Sequence, residues 1–208
     1  MIYTPKYFAE PTDSASVLEL VKTYNFATMI VSLNGAPLIS HLPFHYVPEE
    51  SEHGTLYAHM AIANRQARSL KEGADVTVIF QGPHAYISPT CYAPAADNVP
   101  TWNYAVVHMH GRAQVIQDSV EAYQQMKTLV ELHDQVFKLN LSDEDRHGMM
   151  REICVFRIAV TKIDAKFKLS QNRSEFDRNS VIEHLQMGSS LDKETANFME
   201  RTKKSDSK

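Results

Sequence analysis

Glycine is scarce in this chain. Seven glycines are spread over 208 residues, and none stands in a G-x-G-x-x-G or G-x-x-x-x-G-K-[ST] string. The two common glycine-built phosphate cradles are therefore absent, and any nucleotide must be held another way. Cysteine is scarcer still: Cys91 and Cys154 form neither a CxxC pair nor a disulfide framework, which points to a reducing, intracellular setting. No apolar run reaches the length needed to span a bilayer. The opening MIYTPKYFAEPTDS lacks the apolar stretch of a signal peptide, so a cytoplasmic protein with no membrane partner is expected. Positive charge is not in excess, and a net charge of -4 leaves no whole-chain footprint for nucleic acid. Ser88 and Ser170 lie outside GxSxG and SxxK contexts. Cys91 has His84 near it in sequence but nothing to orient a base, so nucleophilic catalysis finds little support.

What is present is ordinary globular composition, 43% hydrophobic and 22% charged, enough to bury a core. The unusual residues gather at 81–112, QGPHAYISPTCYAPAADNVPTWNYAVVHMHGR, which holds the only Trp, three His and four Pro. Aromatics, rigid corners and hydrogen-bonding groups together suit a wall against a flat, polar-edged ligand. The plainer alternative is a surface loop whose aromatics pack on the neighbouring core.

Hydrophobic periodicity predicts the order of elements. Groups from Asp13 to Ser16 offer N-caps, and Ser16 with Glu19 fits a capping box for a helix carrying Val17, Leu20, Val21 and Tyr24. Residues 26–32 and 38–46 read as a hairpin across Asn34-Gly35, with Pro43 marking an edge or a bulge. A strand at 55–60, a helix at 62–71, a buried strand at 75–80 and a brief pairing at 86–88 follow. A long strand at 101–116 bends at Gly111. Asp118 or Ser119 caps a helix to about 132, and Ser142 caps another ending near 152. Residues 153–163 form the last clear strand, with 167–169 as an extension. The pattern is helical from Ser174 onward, with one more short helix in the tail. Hairpin connections predict a mainly β, α+β fold built as a closed or half-open barrel with peripheral helices, not a parallel doubly wound sheet.

Three groups of residues could carry chemistry. In HMAIANRQAR at 59–68, a strand-to-helix junction presents Asn64, Arg65 and Gln66, with Arg68 beyond. Guanidinium forks and helix-terminal amides bind phosphate, and the alternative is a solvated amphipathic face. In KLSQNR at 168–173, the cations Lys168 and Arg173 stand with the amides Gln171 and Asn172. Amides can read the imide edge of a flavin or pyrimidine, and cations can hold its negative charge. The alternative there is a cap and turn. His41 with His45, and His108 with His110, share strand faces, but no Cys or carboxylate cluster completes a metal set, so no metal is expected.

Several of these strings occur together in one family. MIYTPKYFAE at 1–10, SHLPF at 40–44, the 59–66 segment, QGPHAYISP at 81–89, VPTWNY at 99–104, HMHGRA at 108–113 and KLSQNR at 168–173 match in this order. The chain thereby resembles the PaiB family, described as FMN-binding negative transcriptional regulators, from its first residues to about Arg178. The resemblance implies an FMN-binding split β-barrel, shared with pyridoxamine-phosphate-oxidase-like flavoproteins, over residues 1–175. A helical C-terminal extension at 176–208 follows it. It also implies a homodimer with FMN at the interface and, through the family description alone, DNA as a partner. Read with it, the expected cofactor site comprises Ser40, His41, Leu42, Pro43 and His59, the phosphate group Asn64, Arg65 and Gln66, then Trp102, Asn103 and Tyr104, and finally Lys168, Gln171, Asn172 and Arg173. The chain departs from the family pattern at Arg65, where Pro is common, at Ala67, where Trp is common, and at Cys91, where a Trp usually precedes the Tyr. Those changes bear on the shape of the pocket and leave room for another planar ligand, haem included. The competing reading is an FMN-dependent oxidoreductase, a flavin reductase or an oxidase of a small substrate, because flavin chemistry needs few protein groups.

Overall fold

Alternating apolar residues build strands β1 (Phe26–Leu33), β2 (Ala36–Pro43), β3 (His45–Val47), β4 (Thr55–Ala61), β5 (Asp75–Ile87), β6 (Thr101–Val115) and β7 (Ile153–Lys168). In the computed structural model they join one seven-stranded sheet in the order β2-β1-β5-β6-β7-β4-β3. The pairs β1/β2, β1/β5, β3/β4 and β4/β7 all run antiparallel; β1/β2 and β3/β4 are consecutive strands, for which a short hairpin connection requires it. Among the described residues the α-helices are α1 (Ala15–Thr23), α2 (Arg65–Lys71), α3 (Ser119–His133), α4 (Asp143–Glu152), α5 (Glu175–Gln186) and α6 (Ser190–Lys203). The structure describes residues 2–11, 15–33, 35–71, 73–93, 95–137, 139 and 141–203. The expected capping groups Asp13 and Ser14, the turn residue Asn34 and the end of the basic tail from Lys204 lie outside the described residues.

Three helix starts follow directly from their caps. The Asp118 carboxylate accepts from the N–H groups of Val120 and Glu121, Ser142 Oγ from Asp145 N–H, and Ser174 Oγ from Asp177 N–H, which satisfies donors that a helix start leaves open. Ser16 is different. It sits inside α1 and is buried, so it is not that helix's cap. α2 begins at Arg65, later than the periodicity at 62 predicts, because Asn64 Oδ1 accepts from Gln66 N–H at 3.0 Å and sets the start.

Two strands differ from expectation. Residues 38–46 form two strands, not one. β2 ends at Pro43, which has no N–H to continue a ladder, and Phe44 N–H donates instead to Asn25 O at 2.9 Å. β3 then pairs with β4, so His41 and His45 stand on strands at opposite ends of the sheet order. Conversely, residues 75–87 are continuous through Gly82 and Pro83. A Cβ on Gly82 would come within 3.0 Å of Leu20 Cδ1, so this glycine answers to packing rather than to a strand break. β7 is likewise unbroken to Lys168.

The chain divides into two compact units. The first comprises residues 1–23, 81–107 and 164–208. Its core joins Val17 and Leu20 of α1 to Ile87, Phe167, Val181, Leu185 and Phe198, all buried, with the Phe167 and Phe198 rings edge-on at 5.6 Å. The second comprises residues 24–80 and 108–163. Phe44 is buried there, edge-on to Phe80 at 6.0 Å and to Phe156 at 6.5 Å, and Met29, Leu56, Val78 and Ile158 of the same unit are buried as well. A smaller cluster of Tyr57, Ile116, Ala122 and Val155 anchors α3. Gly111, expected as a bend, serves a close approach: a Cβ there would sit 2.3 Å from Ala159 O.

Candidate functional site

In the second unit, the residues expected to hold phosphate are tied to the strand expected to face a ring. Asn64 Nδ2 donates to Ser40 Oγ at 3.0 Å, while its Oδ1 caps α2. Gln66 is 1% exposed, and its amide donates to Leu38 O at 2.7 Å and Met29 O at 3.3 Å. Gln66 therefore pins α2 to the β1–β2 hairpin, and its buried Oε1 has no hydrogen-bond partner among the described residues. Arg65 and Arg68 are exposed. On β2, His41 shares a hydrogen bond with Thr28 at 3.1 Å, and Leu42 and Pro43 are half-buried. His59, on β4, lies among Tyr57, Gln125, Met126 and Leu129. Its Nδ1 is buried without a partner among the described residues, and burial pushes its pKa below the usual histidine value. A ring kept neutral in this way can donate or accept toward a ligand.

In the first unit, the expected ring-binding triplet is divided by the strand itself, because successive residues face opposite sides. Trp102 and Tyr104 line an open groove of about 420 Å³ with Gln81, His84 and Val106. Trp102 is 53% exposed and stands between His84 and Tyr86, with ring centroids 6.1 and 5.9 Å away. His84 Nδ1 is buried and without a partner among the described residues. Asn103 faces the other side, 1% exposed, where its Nδ2 donates to Ser170 Oγ at 3.0 Å.

That other side opens into a second cavity of about 230 Å³ near the end of β7. Lys168, Asn172 and Arg173 line it, together with Tyr92, Thr101 and Ser170, which the sequence reading had not included. Lys168 Nζ donates to Thr101 Oγ1 and, at 2.7 Å, to Trp102 O. Burial first, then the charges of Lys166 and Arg173, lower its pKa. The Arg173 guanidinium lies 4.4 Å from the Tyr92 ring centroid, and its Nη1 donates to Asn98 Oδ1 at 2.8 Å. Gln171 does not reach the cavity's cations: it accepts from Leu169 N–H and donates to Phe167 O, both at 2.6 Å. It closes the end of β7. Ser170 has φ of 62°, a left-handed conformation that costs a non-glycine residue free energy and clusters at ligand sites. The alternation of Thr101 and Asn103 was a signal that could have placed them together; the Ser170 conformation left none.

In the second unit, the orphaned His59 nitrogen, the buried amide oxygen of Gln66 and the exposed Arg65 are polar groups that a phosphate-bearing cofactor can satisfy; in the first, taken by itself, the aromatic groove beside the orphaned His84 nitrogen suits a planar, polar-edged ring. The hairpin-built antiparallel sheet with its peripheral helices is the FMN-binding split β-barrel fold. Residues 2–162 match the family described as "Putative FMN-binding domain", and the chain belongs to that family. It is 36% identical over 190 residues to the protease synthase and sporulation protein PAI 2 of Bacillus subtilis strain 168, covering 89% of each chain. Among solved structures it is similar to the flavocytochrome Anf3 of Azotobacter vinelandii, with TM-score 0.59, 17% identity and coverage of 79% of this chain and 72% of that one. It is also similar to an FAD- and haem-binding protein of Mycobacterium smegmatis, with TM-score 0.59, 16% identity and coverage of 76% and 72%. These likenesses to solved structures bear on the fold. The family establishes FMN as the cofactor and the kinship with PaiB expected from the ordered motifs.

Proposed function

We propose that this chain is a cytoplasmic, homodimeric regulator of transcription that responds to the FMN it binds. The observation that carries the flavin reading is the junction of β4 and α2. There an exposed arginine follows an asparagine already fixed to Ser40, in a chain whose family binds FMN. Arg65 would hold the phosphate through charge-assisted hydrogen bonds. Ser40 and Asn64 would orient its oxygens, with His41, Leu42 and Pro43 on the same strand. Within the other unit, Trp102 and Tyr104 line a groove of their own that offers apolar surface to a planar ring. Bound FMN supplies reversible electron acceptance; the chain supplies binding, orientation and exclusion of water. Among the described residues no helix is long and apolar enough to cross a membrane.

Two titrations test the flavin assignment. Arg65→Ala should weaken FMN by about 1.5–3 kcal/mol, the range for a hydrogen bond to a charged group, and leave riboflavin, which lacks the phosphate, nearly unaffected. Equal losses for both ligands would remove Arg65 from the phosphate site. For the regulatory reading, FMN-loaded protein is used to select bound sequences from a random DNA pool. A dimer should enrich a palindrome with half-sites about one helical turn apart. An unenriched pool, together with rapid saturable reduction of the flavin by a nicotinamide cofactor, would replace the regulator with an oxidoreductase.

A further inference from the structure

We propose that the cavity at the end of β7 binds a small planar carboxylate, at a site separate from the flavin. The cavity is built for one anion. Lys168 and Arg173 both line it, and among the described residues no carboxylate forms an ion pair with either. Both are half-buried, so each is partly withdrawn from water beside a like charge, and a bound anion would supply the counter-charge. The donors are also pre-positioned. Lys168 spends two of its three N–H groups on Thr101 Oγ1 and Trp102 O. Arg173 spends Nη1 on Asn98, and its guanidinium carbon lies over the Tyr92 ring. What remains is one ammonium hydrogen and the other edge of a guanidinium, a pairing suited to the two oxygens of a carboxylate.

The walls and the size specify the rest of the ligand. Phe8 and Tyr92 contribute aromatic surface, and Asn103, Ser170 and Asn172 contribute polar groups. A volume of about 230 Å³ falls below the roughly 300–1,000 Å³ of sites that enclose drug-sized ligands, so the cavity cannot enclose a flavin mononucleotide. A single-ring carboxylate matches both its size and its charge. The turn that carries Arg173 is closed by Arg173 N–H donating to Ser170 O at 3.1 Å. The left-handed Ser170 at its start is the kind of backbone strain that persists where a ligand site over-determines the chain.

The test uses the full chain, with and without saturating FMN, titrated calorimetrically with benzoate, acetate and inorganic phosphate. Benzoate should bind saturably at one per chain in both states, more tightly than acetate or phosphate, and leave FMN affinity unchanged. Arg173→Gln and Lys168→Met should each weaken benzoate at least about tenfold, with Arg173→Lys recovering part of the loss. Tyr92→Leu should abolish the preference for benzoate over acetate while acetate still binds. Melting curves of each variant establish that it folds. Benzoate that fails to bind, that binds Arg173→Gln and Lys168→Met as it binds the native chain, or that binds more weakly than phosphate would overturn the proposal. Benzoate that displaces FMN would overturn it too, by making the cavity part of the flavin site. The flavin reading fails by a different result, equal loss of FMN and riboflavin in Arg65→Ala, so the two can fail separately.

Discussion

At the scale of single residues, burial decides which groups can respond to pH and to ligands. His59 is held below its ordinary pKa of 6.5 by desolvation. As pH falls through 6.5 the unfolded chain takes up this proton first, so the native state loses stability below that point. The contribution is present above 6.5 and disappears as pH drops through the folded-state pKa. The melting temperature should therefore fall between pH 7 and pH 5, and His59→Gln should reduce that slope. Identical slopes would assign the proton uptake to another group. Trp102 is the chain's only tryptophan and is more than half exposed, so its emission reports one location. Saturation with FMN should quench it. Unchanged emission would put the flavin away from the Trp102–Tyr104 groove and leave that groove to protein contact alone.

At the scale of elements, glycines that look alike in sequence have opposite roles. Gly111 on β6 lies against the backbone of β7, where a Cβ would meet Ala159 O at 2.3 Å. Backbone cannot move aside as a side-chain tip can. Gly111→Ala should destabilise the fold by about 1–3 kcal/mol or more, read as a lower denaturation midpoint with little change in slope. Gly148, inside α4, has nothing within 4 Å of its would-be Cβ. Gly148→Ala should stabilise by about 0.4–1 kcal/mol, because alanine restricts the unfolded chain and favours helix. If the two substitutions shift the midpoint in the same direction, the close approach of β6 and β7 is not what fixes Gly111. The hairpin β1–β2 is secured differently, by the Gln66 amide reaching two of its carbonyls. That anchor positions Asn64 and Arg65 at the edge strand that carries Ser40.

At the scale of the whole molecule, the exposed apolar side chains call for a partner. Tyr86 and Trp102, on neighbouring strands of the first unit, are 49% and 53% exposed and touch one another. Large aromatics contiguous on a surface mark interaction sites more often than isolated ones do. With dimerisation part of the proposed function, the chain should sediment as a dimer, and Trp102→Glu should shift it toward monomer by placing a charge in the contact. A native chain that sediments as a monomer at micromolar concentration would remove this surface from the proposal.

Much of the fold was legible in the sequence because it is written in short-range signals. Alternation identified the strands, the 3.6-residue period identified the helices, and Asp118, Ser142 and Ser174 marked three helix starts through side-chain bonds to N–H groups two or three residues on. The ordered motifs carried the family, and with it the flavin. Only tertiary structure divided residues 38–46 between β2 and β3, since Pro43 permits either an edge or an end and the choice rests on which strand lies alongside. Only tertiary structure turned Asn103 away from Trp102 and Tyr104, by fixing which face of β6 meets Ser170. The surroundings of KLSQNR were likewise invisible, because Arg173 finds Asn98 from 75 residues away and Lys168 finds Thr101 from 67. A chain encodes its local turns within a few residues. Which distant groups then share a cavity is settled by the registers in which its strands pair and by the packing that holds them.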